Sequence, residues 1–264
     1  MPELRLRRVL GIALRQWLTL RHSITRLVEV FCWPILEVVL WGLVTQYLLT
    51  QSGAVFAPSL LIGGMILWTT LHRAQEDMAM AFLEESWSQN LPNMFASPIH
   101  PLEYFLASSL VGTIKVTLAT GSVIALAFVF YGFGLWEIGP TLFGAVPALV
   151  MFGWAMGLVT VGLILRFGRQ VDVLAWSFAM LIQPLVCAVY PLNVLHPSLQ
   201  VVAGLLPPTH VFEAVRAASA GTPNHIELLI GIGGSMVALA FGLVYYVVSL
   251  RYARTMGRLA SAGE

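Results

Sequence analysis

Charge is what this sequence has least of. Asp, Glu, Lys and Arg together make up 10% of its 264 residues, where an ordinary soluble domain carries about 25%. A chain that is 58% hydrophobic, with a mean hydropathy of +0.82, could form one water-facing globule only by exposing an apolar surface. That excludes a soluble fold and leaves an integral membrane protein. Cysteine is nearly absent: Cys32 and Cys187 each lie in an apolar stretch, so neither a disulfide framework nor a thiolate metal cluster can be built.

Lysine occurs once, at Lys115, and Ile114 rather than glycine precedes it. The phosphate cradle G-x-x-x-x-G-K-[ST] is therefore missing, and the chain is not expected to hydrolyse ATP by itself. No histidine is followed by glutamate and no G-x-S-x-G elbow occurs, which removes the zincin and nucleophile-elbow signatures. The reading is of a non-catalytic chain with no metal site. Its net charge of +1 gives no bulk attraction for a polyanion, so nucleic acid is not an expected partner.

What the sequence has in abundance is apolar runs. Stretches free of Asp, Glu, Lys and Arg extend over Val38–Leu71, Val116–Trp136, Ile138–Leu165, Val173–Phe212 and Leu228–Leu250, and about 20 helical residues cross the hydrocarbon. The first is too long for one crossing and is interrupted by Thr50, Gln51, Ser52 and Gly53, a turn-prone cluster. Extended back to Leu27, the pattern predicts six transmembrane helices at about 27 to 49, 54 to 75, 105 to 131, 140 to 165, 172 to 190 and 226 to 250. The first apolar segment exceeds a signal-peptide core and lacks a small-residue cleavage site, so it is expected to remain as a membrane anchor. The whole of 1–264 reads as a single all-α transmembrane domain.

Orientation follows from the cations. Arg5, Arg7, Arg8, Arg15, Arg21 and Arg26 precede the first span, Arg73 follows the second, Arg166 and Arg169 follow the fourth, and Arg251, Arg254 and Arg258 follow the sixth. All twelve fall on one side of the six-span arrangement, whereas the opposite loops hold only Arg216. The positive-inside rule then places both termini in the cytoplasm.

Three segments do not span. Within 1–26, Leu6, Val9, Leu10, Ala13, Trp17 and Leu20 share one side of a helix, and Arg5, Arg8, Arg15, Thr19 and His22 the other, as in an interfacial amphipathic helix. A plain basic flank of the first span is the alternative. Segment 72–104 is a cytoplasmic loop that is acidic where the rule favours basic, with Glu76, Asp77, Glu84, Glu85 and Glu103. Phe82, Leu83, Trp87, Leu91, Met94 and Phe95 recur through it at helical spacing, which suits a protein-docking surface better than a solvated loop. Segment 191–225 is apolar but broken by Pro191, Pro197, Pro207 and Pro208; an external element that re-enters the membrane packed against protein fits both features.

Two charges fall inside spans. Glu37 and Lys115 each lie about ten residues into an outward-running helix, hence at one depth of roughly 15 Å. Either they neutralise each other structurally or they form a functional pair, as in an ion-coupled secondary transporter.

Together these features resemble the membrane subunit of type-2 ABC exporters. Phe82, Leu83, Glu84 and Glu85, followed by Leu91, Ser97, Pro98, Ile99 and Glu103, are similar to that family's coupling helix and the Ser-Pro turn after it. Tyr190, Pro191 and Leu192, then Leu205, Pro207, Pro208, Thr209, Phe212, Glu213, Val215 and Arg216, resemble its segment before the last span. Pro207-Pro208-Thr209-His210 departs from the family's more usual Asn-Pro-Leu-Thr. The resemblance implies a permease of the bacterial cytoplasmic membrane, paired with a second permease copy. It implies a separate ABC ATPase subunit that holds ATP and Mg and pushes on the coupling helix. It also implies export of a drug-like, lipid or lipid-linked glycan substrate.

Overall fold

The computed structural model describes residues 5–52, 58–91, 93 and 99–256, and every regular element among them is helical. In chain order these are α1 (Leu6–Arg21), α2 (Ile24–Ser52), α3 (Pro58–Trp87), α4 (Pro101–Tyr131), α5 (Leu142–Phe167), α6 (Leu174–Ile182), α7 (Pro197–Gly204), α8 (Pro207–Ser219) and α9 (His225–Thr255). Four stretches are long and apolar enough to cross a membrane: Val30–Leu48, Pro101–Tyr131, Ile138–Phe167 and His225–Thr255. They coincide with the first, third, fourth and sixth expected spans.

The second and fifth expected spans differ. Instead of giving way to a loop at residue 72, α3 continues unbroken to Trp87, because no proline interrupts the chain between Pro58 and Pro92. The fifth, expected over 172 to 190, is helical only as α6; Gln183 keeps helical angles, but Pro184 after it has no N–H to continue the hydrogen-bond ladder. Hydrogen-bonded turns continue to Cys187, which lies in the left-handed region at φ 56°, and bends follow to Tyr190.

α3 is the axis of the fold, buried at every residue from Leu61 to Ala79. Glycine lets α5 lie against it. A Cβ on Gly157 would sit 2.6 Å from Met78 Cβ and 2.8 Å from Gln75 O, and one on Gly153 2.6 Å from Leu71 O; small residues four apart let backbones approach where lipid supplies no hydrophobic drive. α9 packs on α5 the same way, with Gly242 against Ala155, and on α8 with Gly231 and Gly234 against Val211 and Pro207. Gly233 has open space beside it.

The prolines of segment 191–225 start helices as well as interrupting them. Pro197 and Pro207 occupy the first turns of α7 and α8, where the missing N–H costs nothing. α8 then buries Val211, Phe212 and Val215 in the same core as Trp68, Leu71 and Phe152. α4 begins on a capping box formed by His100 and Glu103 and ends on Gly132 at φ 66°.

α1 packs through Val9 and Ala13 on Ala107 and Val111 of α4, and through Leu20 on Val30 and Ala119. Leu6, Leu10, Leu14 and Leu18 stay exposed on an adjoining face, so the helix has separate protein-facing and outward apolar sides, as an interfacial helix requires.

Candidate functional site

Three polar constellations punctuate this apolar body. The deepest lies halfway along α3, where the spacing 73, 76, 77 places three charges on one helix face. Arg73 Nη1 donates to Glu76 Oε2 at 2.7 Å and Nη2 to Asp77 Oδ1 at 3.4 Å. Lys115 Nζ, from α4, reaches the same Asp77 Oδ1 at 3.2 Å. All three α3 charges are buried, a placement that is stable only where opposite charges and hydrogen bonds compensate.

The expected pair between Glu37 and Lys115 is therefore not formed. Glu37 accepts a hydrogen bond from Thr69 Oγ1 at 2.9 Å and makes no salt bridge with any described residue, while Asp77 takes the lysine. The shared depth read from the sequence does not survive: Glu37 meets α3 at Thr69 and Lys115 meets it at Asp77, eight residues and about 12 Å farther along the helix.

Glu37 faces a cleft of about 310 Å³ between α2, α3 and α6, lined also by Trp33, Pro34, Thr69, His72, Arg73, Glu76, Trp176 and Met180. His72 stacks on Trp68 with ring centroids 6.0 Å apart. A larger groove of about 580 Å³ runs between α3, α4 and α5, and its polar lining includes Thr70, Thr113, Thr117 and Thr120.

The second constellation joins α1 and α2 to the far end of α3. Arg15 pairs with Glu85, which also accepts from Asn90 Nδ2 at 2.7 Å. Arg26 Nη1 lies 3.0 Å from Glu84 Oε2, and Arg8 Nη1 3.8 Å from Glu103 Oε2. The buried Glu103 also accepts from the backbone N–H groups of Arg5 and His100 at 2.7 and 2.9 Å. A basic N-terminal helix and an acidic segment after the second span were unconnected oddities of the sequence; in the structure each neutralises the other.

That arrangement alters the expected docking surface. Phe82, Leu83 and Leu91 are buried against Tyr104, Leu158 and Leu250 of the same chain, so they serve the core and present nothing to a partner. Glu84 and Glu85 are engaged by Arg26 and Arg15. Among the described residues Trp87 alone of the expected apolar anchors is exposed, at 44%; its ring stacks on Trp176 at 6.1 Å and its Nε1 donates to Asp172 Oδ2 at 3.4 Å. Ser97 and Pro98 lie outside the described residues.

The third constellation fastens α8 to the turns after α6. Arg216 Nη1 pairs with Glu213 Oε1 at 2.7 Å, and its Nη2 donates to Cys187 O at 2.7 Å and Tyr190 O at 2.9 Å. Glu213 Oε1 in turn accepts from Leu192 N at 2.8 Å, just after Pro191. Pro208 is buried and Pro207 sits against Gly234. The expected residues of this segment thus meet around one turn.

The model of the ABC-2 type transporter family matches residues 12–219. The chain belongs to this family. As an ABC-2 permease it is a membrane transport component of an ABC transporter, a system that includes an ATPase partner. Comparison with curated proteins returned no match. The match runs from within α1 to the end of α8 of the permease and takes in all three constellations apart from Arg5 and Arg8.

Reading the permease from its sequence missed Thr69, His72, Arg73, Glu76 and Asp77 as one buried group on α3. Their signal was present: the i, i+3, i+4 spacing of the charges continues the helical register of the preceding span with no breaker between. Assigning everything after residue 72 to a loop hid it.

Proposed function

We propose that this permease is the translocation subunit of an ATP-driven exporter, acting beside a second permease copy in the bacterial cytoplasmic membrane with both termini inside. In this reading the chain crosses six times. α2, α4, α5 and α9 are the apolar crossings, α3 is the sheltered one, and α6 with its turns and α8 completes the sixth. The substrate is a drug-like, lipid or lipid-linked glycan molecule, and this chain binds no ATP or Mg of its own.

One contact supports the coupling best: Trp87, at the end of α3 that leads into the segment expected to meet the ATPase, stacks on Trp176, which walls the cleft beside Glu37. A push on the segment after Trp87 would reach the cleft both along α3, about 1.5 Å of rigid helix per residue, and directly through the two indoles. The segment 191–225, held by Glu213 and Arg216, closes the outer end of the path.

Trp87→Ala tests this. The exposed ring is not part of the core, so the variant should insert and melt normally while its transport per ATP hydrolysed falls severalfold in nanodiscs with the partner ATPase. Unchanged transport per ATP would reject the route through Trp87.

A further inference from the structure

The cleft between α2, α3 and α6 has an imbalance of charge. With histidine neutral, Arg73 and Lys115 supply two positive charges to this layer, and both are committed to Glu76 and Asp77. Glu37 shares the cleft wall with Arg73 and His72 but ion-pairs with no described residue, and its hydrogen bond comes from a neutral hydroxyl, that of Thr69. A carboxylate at membrane depth without a cation is costly, and a structure that keeps one has an energetic demand for a positive charge.

The surroundings state what kind. Trp33 of α2 and Trp176 of α6 stand on either side, and Met180 adds a polarisable apolar surface; all three are partly exposed, so the cleft is open on the side away from α3. Indole faces attract cations, and a volume near 310 Å³ falls in the range of drug-sized sites. A small metal ion is poorly served, since one carboxylate and one hydroxyl do not fill a coordination shell. No group of three or more potential metal ligands occurs among the described residues.

We propose that this cleft binds lipophilic organic cations, with Glu37 as the counter-ion and Trp33 and Trp176 as the aromatic walls. The proposal rests on the reading of the cleft as the substrate's contact and narrows it to one charge class. Anionic lipid-linked glycans are then disfavoured here, because Glu37 and Glu76 repel them and the one guanidinium in the wall, Arg73, is bonded to Glu76 and Asp77.

The test uses two probes of the same shape and opposite charge, tetraphenylphosphonium and tetraphenylborate. Each is measured by equilibrium binding to the purified chain in zwitterionic nanodiscs, against empty discs. Saturable binding of the cation, at least tenfold tighter than of the anion, is expected, with Glu37→Gln weakening it about tenfold and erasing the preference. Trp33→Leu, at an exposed position that does not support the core, should weaken the cation severalfold and leave the preference intact. Cation binding unaltered by Glu37→Gln, anion binding as tight as cation binding, or no effect of Trp33→Leu would each overturn the proposal. ATP-driven efflux is measured separately with the partner ATPase. Binding through Glu37 without efflux would reject the export reading alone, and efflux of neutral or anionic substrates with no cation binding would reject this one alone.

Discussion

Asp77 is held by two cations from two helices, and the choice of partner for Lys115 is decided by distance. Its ammonium lies 3.2 Å from Asp77 Oδ1, whereas Glu37 is turned to Thr69, about two turns away along α3. Lys115→Met should therefore leave Asp77 to Arg73 alone and cost about 3 kcal/mol, the low end for breaking a buried pair, since one cation remains. A fall in the melting midpoint of the detergent-solubilised permease reads it out. Adding Asp77→Asn should recover most of the loss, and adding Glu37→Gln should not. Recovery by the second and not the first would restore the pairing that the sequence alone favoured.

Among the elements, α3 carries the tightest contacts and α9 shows how unequal similar-looking glycines are. Gly231, Gly233, Gly234 and Gly242 form one apparent packing face in the sequence, yet a Cβ on Gly233 would meet nothing within 4 Å. Gly157 is the opposite case, with Met78 Cβ at 2.6 Å and backbone behind it. Gly157→Ala should then cost about 1 to 3 kcal/mol through forced separation of α3 and α5. Gly233→Ala should be neutral or gain up to about 1 kcal/mol from lower chain entropy. Thermal melts of the two variants side by side decide it: equal effects would show that the α3–α5 approach is not set by glycine.

At the scale of the whole molecule, the constellations sort along its length. The arginines of α1 and α2 meet Glu84, Glu85 and Glu103 at one end, the Arg73 layer lies midway, and the Glu213–Arg216 pair fastens the turn of 191–225. In the proposed orientation the first end, where the cations gather, is the cytoplasmic one. In a background with Cys32 and Cys187 replaced, a cysteine at Trp136, exposed in the turn between α4 and α5, should be labelled by an impermeant maleimide from outside intact cells. One at Arg166, at the other end of α5, should not. Labelling of Arg166 with protection of Trp136 would invert the topology.

Composition and run length by themselves determined that the chain is a helical membrane protein, because 58% hydrophobic residues in runs near 20 have no other stable solution. Proline and the Thr50–Gly53 cluster marked most element ends, since local backbone chemistry acts between neighbours. The missing phosphate cradle led to the expectation that ATP chemistry lies on another chain. What the tertiary structure decided were the partners. Whether Glu84 meets an ATPase or Arg26, whether Phe82 is an anchor or core, and which carboxylate holds Lys115 depend on how helices far apart in sequence rotate against one another. A helix face is periodic in sequence, but nothing local records which face α3 turns toward α2, α4 or α5. That rotation is set by the glycines that let backbones meet and by the cost of leaving any buried charge without a partner.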